Sequence, residues 1–99
     1  MPKIYEYFGF IFFFYSDEHE PVHVHVRKSG CESIFEIIME DGKLKTIRCR
    51  KKRMNELSDK DKTIAEDFIR KYIDNIINKW VNFFVLKKRI RNSKITKKI

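Results

Sequence analysis

The residues best placed by type and spacing to do chemistry are crowded into YSDEHEPVHVHVRK, residues 15–28, which holds all three histidines of the chain, His19, His23 and His25. Histidine exchanges a proton near neutral pH, a neighbouring carboxylate orients the ring and raises its pKa, and arginine or lysine neutralises a phosphate in a transition state. Metal-free RNA cleavage asks for that set. His23 and His25 are two apart, so on a strand they share one face, and with His19 from the preceding loop they also suit a metal ion. The plainer reading stands beside both. An antiparallel strand with one solvated face alternates polar and apolar residues as a matter of course, and V-H-V-H-V then marks only its wet side.

Partners for the histidines depend on strand register. A two-residue turn at Ser29-Gly30 sets Lys28 against Cys31, Arg27 against Glu32, His23 against Glu36, and Val22, Val24 and Val26 against Ile37, Phe35 and Ser33. One face is then largely apolar and meets the core, while the other carries His23, His25, Arg27, Glu32 and Glu36. A second two-residue turn at Asp41-Gly42 sets Lys45 against Ile38 on that second face and Ile47 beside Glu36. The catalytic candidates are therefore His23 or His25 as base, Glu36 orienting it, and Arg27, Lys45 or Arg48 on the phosphate.

The elements that must position these residues follow from turns and period. In KIYEYFGFIFFFY the glycine at position 9 separates two runs rich in aromatic and β-branched residues, which predicts a hairpin at Phe8-Gly9. The second run is aromatic on both faces, as in a central strand covered on both sides. Strands over 22–28, 31–40 and 43–49 complete three hairpins. From Leu57 the period changes to three or four: Ser58 reads as an N-cap with Asp61 in the first turn, and Ile64, Phe68, Ile69, Tyr72, Ile73, Ile76, Ile77, Trp80, Val81 and Phe84 form one apolar face. The expected fold is α+β, an antiparallel sheet of about five strands followed by one long C-terminal helix or by two packed ones broken near Asp74-Asn75.

A length of 99 residues allows one domain, expected over 1–86, and the lysine- and arginine-rich stretch 87–99 reads as a basic, flexible tail. The net charge of +8 favours an anionic partner, RNA, DNA or an acidic protein. The run RCRKKR, with Arg48, Arg50, Lys51, Lys52 and Arg53, is a footprint fit for phosphates or for such a partner. The aromatic run from Phe10 to Tyr15 could stack bases but reads better as core, and Trp80 with Phe83 and Phe84 closes the core or extends into a homodimer contact. Cys31 and Cys49 read as structural thiols. No G-x-x-x-x-G-K-[ST], G-x-S-x-G or C-x-x-C motif occurs, so no cofactor is expected. The longest apolar run, Phe8 to Tyr15, is far short of the ~20 residues that cross a bilayer, and no signal peptide is visible, so a cytoplasmic protein without membrane contact is expected.

The opening MPKIYEYFGFIFFFYSDEHEPVHVHVRK, with its Met-Pro start, F-F-F-Y-S run, H-E-P step and H-V-H-V strand, resembles a small bacterial family catalogued as domain of unknown function 4160. The stretch LSDKDKTIAEDFIRKYIDNIINKWVNFF resembles that family's C-terminal half, so the likeness covers roughly residues 1–85. It implies that His19, Glu20, Pro21, His23 and His25 form the family's motif. It also implies a place in a toxin–antitoxin-like module beside a cognate small antitoxin-like protein. Val22 stands where relatives commonly have a second proline, and the basic tail runs past the family's usual end. The expected function is thus a module component that binds nucleic acid or an acidic partner, with metal-independent ribonuclease action as its mechanism if it is a toxin. A non-catalytic binding module and a metal-binding protein using His19, His23 and His25 remain the alternatives.

Overall fold

The computed structural model describes residues 3–14, 22–50, 55–87 and 90–99. Three hairpins lay down the first five strands: β1 (Lys3–Tyr7) with β2 (Phe10–Phe13), β3 (His23–Lys28) with β4 (Cys31–Glu40), and β4 with β5 (Lys43–Cys49). Each turn has positive φ at both central residues: 43° and 84° at Phe8-Gly9, 51° and 78° at Ser29-Gly30, 53° and 77° at Asp41-Gly42. Such turns match the right-handed twist of the strands they join, and the second position of each is glycine because a side chain resists that conformation.

A sixth strand, β6 (Ser93–Ile95), lies parallel to β1, so the sheet order is β5-β4-β3-β2-β1-β6 and the sheet is mixed. The five expected strands are present and antiparallel to their neighbours, and the unexpected sixth makes the sheet mixed. The added strand comes from the stretch read as a basic tail, and a side chain from the helical half holds it. Lys79 Nζ donates to the carbonyls of Ile4 (2.8 Å) and Arg91 (2.7 Å) and to Ser93 Oγ (3.1 Å), and sits 4.0 Å over the Tyr5 ring.

Helix α1 (Asp59–Lys71) starts where expected: Ser58 Oγ accepts from the Asp61 amide at 3.2 Å. Tyr72 then leaves the helical region (φ −109°, ψ 26°), α2 (Ile73–Trp80) follows at once, and a π-helical turn over Val81–Val85 ends the run. The two-helix alternative holds, with the break at Tyr72, two residues before Asp74. The Tyr72 ring lies 5.5 Å from Tyr5 on β1 and 4.7 Å from Phe68 on α1. Both helices cover the first face of the sheet, where Phe68 stacks on Phe12 at 4.5 Å and lies 4.8 Å from Tyr7. The apolar side of the helix period and the apolar side of the strand alternation thus bury each other. Phe12, Phe13 and Phe14 are all buried, as expected for a strand covered on both sides. No helix among the described residues is long and apolar enough to cross a membrane.

Candidate functional site

The β3–β4 register is the expected one throughout, with His23 opposite Glu36, His25 opposite Ile34 and Arg27 opposite Glu32. The second face of the sheet therefore carries the histidines, as their alternation requires. It is not a wet face at that point. His23 is 3% exposed and His25 1%, and Glu36 is buried beside them. The picture of two histidines on the solvated side of a strand is corrected: each lies within a packed polar layer on that face.

The layer has a definite geometry around His25. Its ring stacks on Phe13 with centroids 5.3 Å apart and planes at 22°, and the His23 ring meets it edge-on, also at 5.3 Å. His25 Nδ1 lies 3.3 Å from Glu32 Oε2, while Arg27 Nη2 donates to Glu32 Oε1 at 3.3 Å with its guanidinium 4.9 Å over the Phe13 ring. An ionised carboxylate only accepts, so this contact puts the proton of a neutral imidazole on Nδ1. The carboxylate that orients a histidine is Glu32, a residue placed on this face by the strand register but given no role by sequence reasoning. It sits diagonal to His25 across the ladder, and diagonal neighbours are within reach of long side chains. Phe13, read as core in preference to base stacking, forms the floor of the group.

Glu36 does something else. Here the β4–β5 ladder departs from the expected register, because a bulge between Ile38 and Met39 shifts the pairing by one residue beyond Lys45. Thr46 and not Lys45 faces Ile38, Ile47 faces Ile37, and Arg48 faces Glu36. A one-residue shift moves every later side chain to the other face of the sheet. It buries Ile47 on the core side and brings Arg48 to the histidine side, where the uninterrupted register would have put Ile47. The backbone bond from the Arg50 amide to the Ile34 carbonyl, 2.8 Å, continues the ladder and keeps Arg50 on the same face as Arg48.

Arg48 then donates to Glu36 Oε1 through Nε (2.9 Å) and Nη2, and Arg50 Nε donates to Oε2 at 2.7 Å. Both carboxylate oxygens are engaged. The Arg48 guanidinium, and after it that of Arg50, hold the Glu36 carboxyl below its ordinary value near 4.5. Glu36 stays charged at neutral pH and fixes two arginines. The Arg48 side chain is 70% exposed, so the guanidinium edge turned away from Glu36 reaches solvent.

Lys45 stays apart from this group, paired with Glu40 at 3.0 Å beside the Asp41-Gly42 turn. His19, Glu20 and Pro21 of the motif, and Lys51, Lys52 and Arg53 of the basic run, lie outside the described residues. Among the described residues no three His, Cys, Asp or Glu side chains are grouped to hold a metal ion. Cys49 lies on the core side opposite Phe35, and burial pushes its thiol pKa up.

These features define a small basic α+β domain whose sheet is helix-covered on one face and carries a His–Glu–Arg layer on the other. A family model described as Domain of unknown function (DUF4160) matches residues 9–81, well over half of the chain, and the protein belongs to that family. The matched span runs from the first hairpin turn past the end of α2. No curated protein and no solved structure matches the chain.

Proposed function

We propose that the protein is a nucleic-acid-binding component of a toxin–antitoxin-like module and that it meets phosphates at the Arg48–Arg50 end of its sheet. The observation that carries this reading is the anchoring of both guanidiniums on one buried carboxylate, Glu36. A free arginine loses side-chain entropy when it grips a phosphate, whereas these two are already oriented, and each keeps further N–H donors in a fork that matches a phosphate. The pair opens the basic run RCRKKR in a chain of net charge +8. The module setting comes from the family likeness.

Fluorescence anisotropy with a labelled single-stranded RNA and a labelled DNA duplex tests the reading. Affinity should fall by orders of magnitude between about 50 and 200 mM salt, and Arg48→Gln should weaken binding to any sequence and reduce the salt slope by about one. Absence of binding at the lower salt, or a variant that matches the parent, would remove nucleic acid as the partner. Binding of polyglutamate in its place would point to the acidic protein partner.

A second reading has its own observation, the 3.3 Å contact between His25 and Glu32 with Arg27 on the same carboxylate. It makes the protein a metal-independent ribonuclease in which His25 is the base, Glu32 orients it and Arg27 neutralises phosphate. The burial of His25 demands that substrate open the layer, so this reading ranks second. RNA cleavage that persists in chelator and disappears in His25→Ala, with binding largely retained, is its signature. Cleavage unchanged in both His23→Ala and His25→Ala would end it.

A further inference from the structure

The tip of the β1–β2 hairpin is an unusual place for an aromatic residue. Phe8 occupies the first central position of the turn at φ 43° and is 51% exposed. Asparagine, aspartate and glycine are the residues this position favours, since a bulky side chain at positive φ is strained. The burial Phe8 gains in exchange is modest, an edge-on contact with Tyr7 at 5.0 Å. Backbone strain held at an exposed aromatic is a reason to look for a ligand.

A cavity adjoins it. Between the hairpin and β6 lies a 410 Å³ cleft lined by Glu6, Phe8, Phe10, Ile11, Lys94 and Ile95 among others, within the range of small-molecule sites. Lysines adjoin its aromatic residues: Lys94 lines the cleft opposite Glu6 across the β1–β6 pair, Lys98 Nζ is 6.0 Å from the Phe8 ring, and Lys28 Nζ, paired with Asp61 at 3.4 Å, is 4.4 Å over the Phe10 ring. Gly9, Phe10 and Ile11 of the cleft's lining lie within the span matched by the family model, and Lys94 and Lys98 lie beyond it.

We propose that this cleft is a base-stacking site for single-stranded nucleic acid, with a base on the Phe8 ring and the adjoining phosphates on Lys94 and Lys98. Every base has a flat π-face and every linkage a negative charge, so an exposed ring beside ammonium groups is the arrangement that holds an unpaired strand regardless of sequence. A duplex, whose bases are already stacked, offers nothing to Phe8. The site rests on the nucleic-acid reading above and assigns it a substrate class, strand over duplex.

The test is anisotropy at about 50 mM salt with a labelled single strand of about ten nucleotides and a duplex of equal length, using the full chain. Phe8→Asn supplies the residue the turn prefers, so its melting temperature should equal or exceed the parent's, and it should lose roughly five- to a hundredfold in single-strand affinity while duplex affinity holds. Phe8→Trp keeps a stacking face and should bind the strand as the parent does. Unchanged strand affinity in Phe8→Asn, or an equal loss in Phe8→Trp, overturns the site and leaves the Arg48–Arg50 reading standing. A parent that binds neither strand nor duplex overturns both.

Discussion

At the scale of single residues, Glu36 links the stability of the sheet to pH. Its pKa is lower in the folded chain than the ordinary 4.5, so the folded state binds its proton more weakly than the unfolded state does. The stabilisation is therefore complete above pH 4.5 and is lost as pH falls through the folded value. Glu36→Gln keeps the shape and removes the charge between the two guanidiniums. We expect it to cost about 1.5–3 kcal/mol at neutral pH in urea unfolding, the range for hydrogen bonds to charged groups. The difference from the parent should begin to shrink below pH 4.5, where the unfolded parent takes up the proton, and should vanish below the lower folded value, where the folded carboxyl is protonated too. A constant difference down to the acid limit would mean that Glu36 acts through shape and not charge. Because Arg48 and Arg50 are the groups released, the same variant should also weaken phosphate binding without altering either arginine.

At the scale of elements, two attachments decide whether the sheet and helices stay assembled as described. The N-cap of α1 is local: Ser58→Ala removes the acceptor for the Asp61 amide and should cost about 1 kcal/mol in thermal or urea unfolding. The attachment of β6 is not local. Lys79 on α2 reaches β1 and β6 together, and burial lowers the pKa of its ammonium. Lys79→Met keeps the length and the contact with Tyr5 but leaves two carbonyls and a hydroxyl without their donor. We expect a loss of about 1–3 kcal/mol and faster amide exchange in Tyr5, Glu6 and Tyr7, the residues that pair with β6. Exchange unchanged at those amides would show that β6 holds without its lysine. Since Lys94 is carried on this strand, the variant should also weaken single-strand binding at the cleft.

At the scale of the whole molecule, charge bears on self-association and on the proposed nucleic-acid binding. Among the described residues β5 is paired on one side only, and an unpaired strand edge is a template for another chain. Exposed Lys43 and Lys45 on β5 keep like edges apart at a net charge of +8. Replacing both with threonine keeps the β propensity and removes the repulsion, so light scattering at rising concentration should show association of the variant before the parent. Equal behaviour would place the protection elsewhere. The same surplus of positive charge makes any nucleic-acid affinity steeply dependent on salt, which is why strand and duplex must be compared at one ionic strength.

Wherever a few neighbouring residues carry the information, the sequence alone determined the outcome. Two-residue turns with glycine at their second position set the β3–β4 register from Lys28 to His23, and the alternation that follows put His23, His25, Arg27, Glu32 and Glu36 on one face. Ser58 capped its helix for the same reason. Tertiary structure alone decided what depends on distant surfaces. The bulge between Ile38 and Met39 has no glycine or proline to announce it; it is fixed by the gain from burying Ile47 against Ile37, and it carries Arg48 to Glu36 as a consequence. The pairing of β6 with β1 joins opposite ends of the chain through Lys79, so no local pattern encodes it. The burial of the histidines was equally unreadable, because alternation tells which side of a strand a residue faces and says nothing about what packs against that side.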